Sequence, residues 1–158
     1  MNETSKTKKG FTLIELLVVI SIISVLSSII IVSLQTSRNR ANDVKVKQNL
    51  AQVQRAAEVF YANQVPPSYG ESFIPQNCPI TSISIENNMF EDEVTGMNNL
   101  VSLNNFPPNT TINCTVAEGG SAYAISASLS GSNKFWCVSS TDGPIERSSH
   151  ISGSVCGS

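Results

Sequence analysis

The longest pattern in the chain is a predominantly apolar run from Phe11 to Leu34. It contains a single charge, Glu15, and neither glycine nor proline. About 20 mostly apolar residues suffice to span the hydrocarbon core of a bilayer. Lipid admits only helices and closed barrels, and strands rarely exceed about 10 residues. The run therefore predicts a membrane-spanning helix, although its many Ile and Val residues would favour a strand on propensity alone.

The helical pattern continues beyond Leu34, but it becomes amphipathic. One apolar stripe repeats at intervals of 4, 3, 4 and 3 residues, which is typical of one helix face; it comprises Val46, Leu50, Val53, Ala57 and Phe60. Pro66 and Pro67 end the pattern, because proline lacks the backbone donor and restricts the residue before it. We expect one continuous helix from Phe11 to Gln64.

Strand patterns dominate the C-terminal part. Apolar and polar residues alternate in three segments separated by turn residues, which predicts an antiparallel meander; the segments are Thr111–Val116, Ser121–Leu129 and Lys134–Ser139. From Pro66 to about Pro108 we expect a connecting region with one short strand around Thr81–Glu86, and from Asp142 an irregular tail. The predicted class is α+β, with a long N-terminal helix packed on a small antiparallel sheet of about three to four strands.

The chain of 158 residues divides into five predicted segments. Residues 1–10 form a leader, 11–34 the membrane helix, 35–65 its amphipathic continuation, 66–110 the connecting region, and 111–158 the sheet and tail. Charged residues make up only 14% of the chain and the net charge is −2. Affinity for phosphate backbones needs clustered Lys and Arg, so no nucleic-acid partner is expected.

The four cysteines all follow the apolar run. No CxxC pair is present and His150 is the one histidine, so we expect no metal site and no cofactor. Two disulfides would indicate an oxidising, extracytoplasmic compartment, and buried free thiols are the alternative. Cys114 and Cys137 lie two strands apart in the meander, too far to bridge. Cys78–Cys114 with Cys137–Cys156 is the preferred pairing, and Cys78–Cys137 with Cys114–Cys156 closes longer loops.

Orientation in the membrane follows from these cysteines. Basic residues flank the apolar run on both sides, so the positive-inside rule decides nothing; they include Lys8 and Lys9 before it and Arg38, Arg40, Lys45 and Lys47 after it. Disulfides place the C-terminal side outside. We therefore expect the protein to cross the cytoplasmic membrane once.

Glu15 is the anomaly of the apolar run. A carboxylate in a membrane helix is costly, and such residues are usually paired and functional. No cation lies within helical reach, so Glu15 either extends towards the headgroups or has a partner from elsewhere. Cleavage after Gly10 would create an ammonium group on Phe11, which could reach Glu15 of a neighbouring copy.

The residues from Lys8 to Ile23 read KKGFTLIELLVVISII. This segment resembles the N-terminal signature of type IV prepilin-like proteins, the group of type IV pilins and type II secretion pseudopilins. The resemblance is close from Lys8 to Leu34 and extends in plan to the rest of the chain. Many members have a proline about 22 residues into the mature helix, where this chain has Val32, so we expect a straighter helix here.

The resemblance implies cleavage between Gly10 and Phe11 by a prepilin peptidase, N-methylation of Phe11 and binding of Glu15 to a neighbour's Phe11 amine during assembly. It implies four kinds of partner: identical or homologous pilin subunits, the peptidase and methyltransferase, an inner-membrane assembly platform and the lipid bilayer. The protein would reside in the inner membrane with its C-terminal domain outside, and then in an extracytoplasmic filament.

The expected function is therefore a structural filament subunit, either pilin or pseudopilin. A minor tip subunit or adhesin, or an anchored binding domain that never polymerises, is the alternative. We do not expect an enzyme, because only His150 could serve as a base and no nucleophile motif accompanies it. The loop from Asp142 to Glu146 lacks the alternating acidic spacing of a calcium-binding loop.

Overall fold

The computed structural model describes residues 10–79 and 87–157. The first element is helix α1, Leu13–Asn63. It begins two residues after the predicted start at Phe11 and ends one residue before Gln64. The chain divides into two compact units, one up to Arg38 and one from Asn39 onward.

In the unit up to Arg38, the described side chains of α1 are all exposed. The part of α1 in the second unit behaves differently, because it carries the predicted apolar stripe. Val46, Leu50, Val53 and Ala57 are fully buried and Phe60 is 5% exposed. They join one hydrophobic core with residues of the sheet. The prediction of an amphipathic helix packed on a sheet is confirmed.

The sheet has five antiparallel strands in the order β1-β2-β3-β4-β5. The strands are β1 Phe73–Asn77, β2 Ile112–Val116, β3 Tyr123–Ser128, β4 Phe135–Ser139 and β5 Ile145–Arg147. Strands β2, β3 and β4 form the predicted meander, and the α+β class is confirmed. The expected count of about three to four strands was too low.

Both additional strands lie at the sheet edges, in segments that we expected to be irregular. β1 lies in the expected connecting region and contains Pro75, and its pairing with β2 shifts register between Phe73 and Gln76. Proline is confined to edge strands and bulges, which explains both its position and the weak pattern. β5 lies in the expected irregular tail and has only three residues.

The two faces of the sheet are covered by different segments. Tyr123, Ile125 and Ala127 of β3 point into the core shared with α1. Ala124, on the opposite face of β3, packs with Ile151 and Cys156 of the tail. The sheet is thus enclosed between α1 and the C-terminal tail.

The segment between β1 and β2 contributes short helical turns to the core. It contains helix α2, Met97–Leu100, and 3-10 turns at Met89–Glu91 and Leu103–Asn105. Met89, Phe90 and Met97 are buried. The strand expected around Thr81–Glu86 lies outside the described residues.

The turn between β3 and β4 is held against α1. The backbone N–H of Ser130 donates to Oδ1 of Asp43 at 2.6 Å. Gly131 has a φ of +73°, and a Cβ at this position would collide with the side chain of Asn39. Glycine is needed here for both reasons.

Candidate processing and assembly segment

The Gly10–Phe11 bond lies in exposed, non-helical backbone, because α1 begins only at Leu13. Phe11 is 82% exposed, and no atom of the residues that the structure describes lies within 4 Å of the position of a Cβ on Gly10. Proteolysis favours exposed segments outside regular structure. The bond is therefore sterically open to a peptidase. The basic residues Lys8 and Lys9 of the leader lie outside the described residues.

Glu15 closes a capping box with Thr12. Its Oε2 accepts hydrogen bonds from the backbone N–H of Thr12 at 2.9 Å and from the Thr12 hydroxyl at 2.8 Å. The same hydroxyl accepts from the backbone N–H of Glu15 at 3.4 Å. Two donors at the start of a helix are satisfied reciprocally in this motif.

The expectation that no cation lies within helical reach of Glu15 is compatible with this capping box, because Thr12 is a neutral partner. The T-x-x-E spacing is a recognisable helix-start signature in the sequence. The amide and hydroxyl of Thr12 carry no positive charge. The local structure therefore orients the carboxylate without neutralising it.

The apolar side chains that follow are exposed among the residues that the structure describes. Leu13 is 81% exposed, Leu26 56% and Ile31 68%. By length and composition, α1 is the one helix among the described residues that could cross a membrane. Soluble proteins rarely expose apolar patches larger than a few hundred Å². This surface needs lipid or other helices around it.

Three serine hydroxyls within this surface are satisfied inside the helix. Ser21 donates to the carbonyl oxygen of Leu17 at 2.8 Å, and Ser24 donates to that of Ile20 at 2.7 Å. Ser28 likewise bonds to the carbonyl of Val25. Such back-bonding lets hydroxyls remain in an apolar environment without an external partner.

The structure joins the cysteines in the preferred pairs, one on each side of the sheet. The Cα atoms of Cys78 and Cys114 are 5.9 Å apart, and we name this bond the helix-face disulfide. Those of Cys137 and Cys156 are 5.7 Å apart, and we name this bond the tail disulfide. Both separations lie within the usual range.

Asp142 holds the end of the tail beside the tail disulfide. Its Oδ2 accepts from the backbone N–H groups of Gly157 at 3.0 Å and Cys156 at 2.9 Å. These bonds, with weaker ones from Ser139 and Thr141, lower the pKa of the Asp142 carboxyl. The described residues contain no group of three metal-ligating side chains. The role of Asp142 is to order the tail.

His150 lies over the outer face of the sheet. Its Nδ1 is 2.9 Å from the hydroxyl of Ser126 and its Nε2 is 3.0 Å from that of Thr111. Burial lowers the pKa of the imidazole. Ser126 is fully buried, and both ring nitrogens contact hydroxyls instead of the carboxylate that would orient a catalytic base. This geometry anchors the tail.

The described features agree with the comparison with known families. The Prokaryotic N-terminal methylation motif matches residues 5–31. In this segment, which includes the start of the apolar helix α1, the chain is similar to type IV prepilin-like proteins.

One curated relative makes the resemblance more specific. The chain is similar to the Type IV wide pilus major component PilA4 of Thermus thermophilus, with 44% identity over 55 residues. The match covers 35% of this chain and 42% of the relative, so it spans less than half of the relative's length. No solved structure matches the chain.

Proposed function

We propose that this chain is a structural subunit of an extracytoplasmic type IV pilus-like or type II secretion-like filament, made as a prepilin and cleaved after Gly10. The observation that carries the proposal is the exposed apolar surface of α1 within the methylation motif, among the residues that the structure describes. A surface of this kind is stable in lipid before assembly and among other helices after it. The same surface provides the anchor and the filament contact.

Cleavage and methylation would act on the accessible Gly10–Phe11 bond. Before cleavage, Phe11 contributes a neutral amide nitrogen to the chain. After cleavage its nitrogen is an ammonium group, which supplies a positive charge at the membrane-proximal end of the helix. The prepilin peptidase and methyltransferase are the partners for this step, and the inner-membrane assembly platform is the partner for the next.

Glu15 is the expected acceptor of a neighbour's Phe11 amine. Both Thr12 bonds use Oε2, which leaves Oε1 without a donor among the residues that the structure describes. A second subunit can therefore bind the carboxylate without breaking the capping box. Charge-assisted hydrogen bonds are about twice as strong as neutral ones, and low-dielectric surroundings strengthen them further.

Three variants separate the charge of Glu15 from its capping function. Glu15→Gln keeps a capping acceptor and loses the charge, whereas Thr12→Ala removes the capping hydroxyl and keeps the charge. Glu15→Ala removes both. We expect Glu15→Gln and Glu15→Ala to reduce sheared filaments strongly and to similar extents, and Thr12→Ala to reduce them less.

Mass spectrometry of the mature N-terminus supplies the control. All three variants should show a methylated Phe11, because the Gly10–Phe11 bond is unchanged. Normal filament yield from Glu15→Gln would refute the charge-pairing role. An intact Met1 N-terminus in cells with active peptidase would refute processing itself.

The alternative of a minor tip subunit or a non-polymerising anchor differs in stoichiometry. Quantitative proteomics of sheared filaments gives the copy number directly. A major subunit should account for most of the filament mass, a tip subunit for few copies per filament, and a non-polymerising anchor should remain in the membrane fraction.

A further inference from the structure

The outer face of the sheet contains a groove that the filament function does not use. Its volume is about 710 Å³, within the range of small-ligand sites. Four amide side chains line it beside four hydroxyl side chains, and we name it the amide groove after Asn77, Asn109, Asn113 and Asn133. These residues come from β1, the segment before β2, β2 itself and the β3–β4 turn.

The register of the strands explains why two of these amides converge. Asn113 lies between the core residues Ile112 and Cys114 of β2, so its side chain is on the opposite, outer face. Asn77 of β1 pairs directly with Asn113. Directly paired residues share a face of the sheet, which places both amides in the groove.

Asn113 has an acceptor that no described residue satisfies. Its Oδ1 is buried and accepts no hydrogen bond from the part of the chain that the structure describes. Buried polar atoms are nearly always paired, because an unsatisfied one retains its full desolvation penalty. A hydrogen-bond donor in the groove would relieve this penalty once the Asn113 side chain rotates to bring Oδ1 to the groove surface.

The aromatic rings of Phe135 and His150 line the groove beside the amides. The ring centroids of Phe135 and His150 are 4.1 Å apart, and His150 is fixed by its contacts to Thr111 and Ser126. Phe135 pairs with Ser128, whose side chain also lines the groove. The two rings are therefore positioned by β3, β4, the residue before β2 and the tail.

The charge of the groove is low. Its one charged lining residue is Lys134, which is 2.5 Å from Glu146 and so is already paired. The other lining side chains offer amide and hydroxyl groups, which both donate and accept hydrogen bonds. This combination selects against ions and favours an uncharged ligand with many hydroxyl groups.

We propose that the amide groove binds a neutral saccharide. The hydroxyls of a sugar would donate to Asn113 and bond to the neighbouring amides, while the polarised C–H groups on one sugar face would pack on the electron-rich ring of Phe135. This site is independent of the filament contacts on α1, and it would function on a polymerised or an unpolymerised subunit.

The test uses the full-length protein in a zwitterionic detergent, because sugar-headgroup detergents would compete. The protein is applied to an immobilised array of neutral oligosaccharides built from glucose, galactose, mannose, N-acetylglucosamine and N-acetylgalactosamine. Asn113→Ala and Asn133→Ala alter the groove. Asn104→Ala is the matched control, because it replaces an exposed asparagine that does not line the groove.

We expect a subset of probes to bind the wild type and the Asn104→Ala variant equally. Loss of one hydrogen bond to the ligand should weaken binding roughly tenfold in each groove variant. Asn113→Ala should raise the Tm slightly, because its Oδ1 has no described partner to lose and its desolvation penalty is removed. Loss of binding with retained or raised Tm distinguishes a binding role from a structural one.

Two outcomes would overturn the proposal. In the first, no neutral probe binds the wild type above the array background, which would mean that water alone occupies the groove. In the second, Asn133→Ala binds like the wild type while Asn113→Ala loses both binding and thermal stability, which would make Asn113 a structural residue.

Discussion

Removal of each disulfide should destabilise the unit from Asn39 onward by an amount that follows from the length of the loop that the disulfide closes. The helix-face disulfide joins residues 36 apart in sequence and the tail disulfide joins residues 19 apart. In the chain-entropy model, loops of these lengths contribute about 4 and about 3 kcal/mol to the free energy of unfolding. The difference between them is only about 0.6 kcal/mol.

The two double variants can be compared because all four cysteines are buried, although one disulfide lies in the main core and the other in the smaller cluster on the outer face. Their exposed fractions range from 0 to 3%. Replacement of each pair by alanine avoids burying a hydroxyl without a partner, which serine would do. Each double variant loses two buried sulfurs, so the difference between the two variants reports the loop-closure contributions of the two disulfides to the free energy of unfolding.

Thermal unfolding of the full-length protein, followed by circular dichroism without reductant, measures the effect. Each double variant should lower Tm by on the order of 10 °C, with the larger decrease for Cys78→Ala/Cys114→Ala. Non-reducing peptide mapping of the wild type should recover the two expected pairs. An unchanged Tm in Cys137→Ala/Cys156→Ala, or a larger effect there than in the other variant, would refute the loop-closure reasoning.

Two further predictions concern side chains of the sheet. Between the lowered pKa of His150 and its ordinary value near 6.5, the unfolded chain binds more protons than the folded one, so stability should be full above pH 6.5 and fall as pH decreases through the folded pKa. The free energies of unfolding of wild type and His150→Gln, measured by urea titration across this pH window, should diverge, and parallel curves would contradict the expectation. The groups that face the ring are Thr111, Ser126 and Phe135, and Lys134 lies in the same groove. The Tyr123 hydroxyl is buried without a partner among the described residues, so Tyr123→Phe should raise the free energy of unfolding by about 1 kcal/mol, and a decrease in the same titration would show that the hydroxyl is satisfied.

The parts of the fold that could be predicted have a strong local period. The helix stripe from Val46 to Phe60 predicts one apolar face, and so does the alternation in β3. Both faces are buried in the core, as predicted. β1 could not be found in this way, because Pro75 and its polar neighbours obscure the alternation. β5 is too short to establish a period.

The candidate sites also divide into those that could be predicted from local sequence and those that could not. The Gly10–Phe11 junction and Glu15 are recognisable because their neighbours in sequence are also their neighbours in space. Thr12 could have been found from its spacing to Glu15. The amide groove could not, because it combines β1, β2, the β3–β4 turn and the tail, and their proximity is a product of sheet register.

The two disulfides also determine how the protein would respond to mechanical load. Force applied across the unit from Asn39 onward acts on its covalent chain, and a domain that unravels lengthens by about 3.4 Å for each released residue. The closed loops of 36 and 19 residues cannot be drawn out while their bonds persist, which withholds roughly 190 Å of contour length. An oxidised subunit would therefore yield far less extension under force than a reduced one.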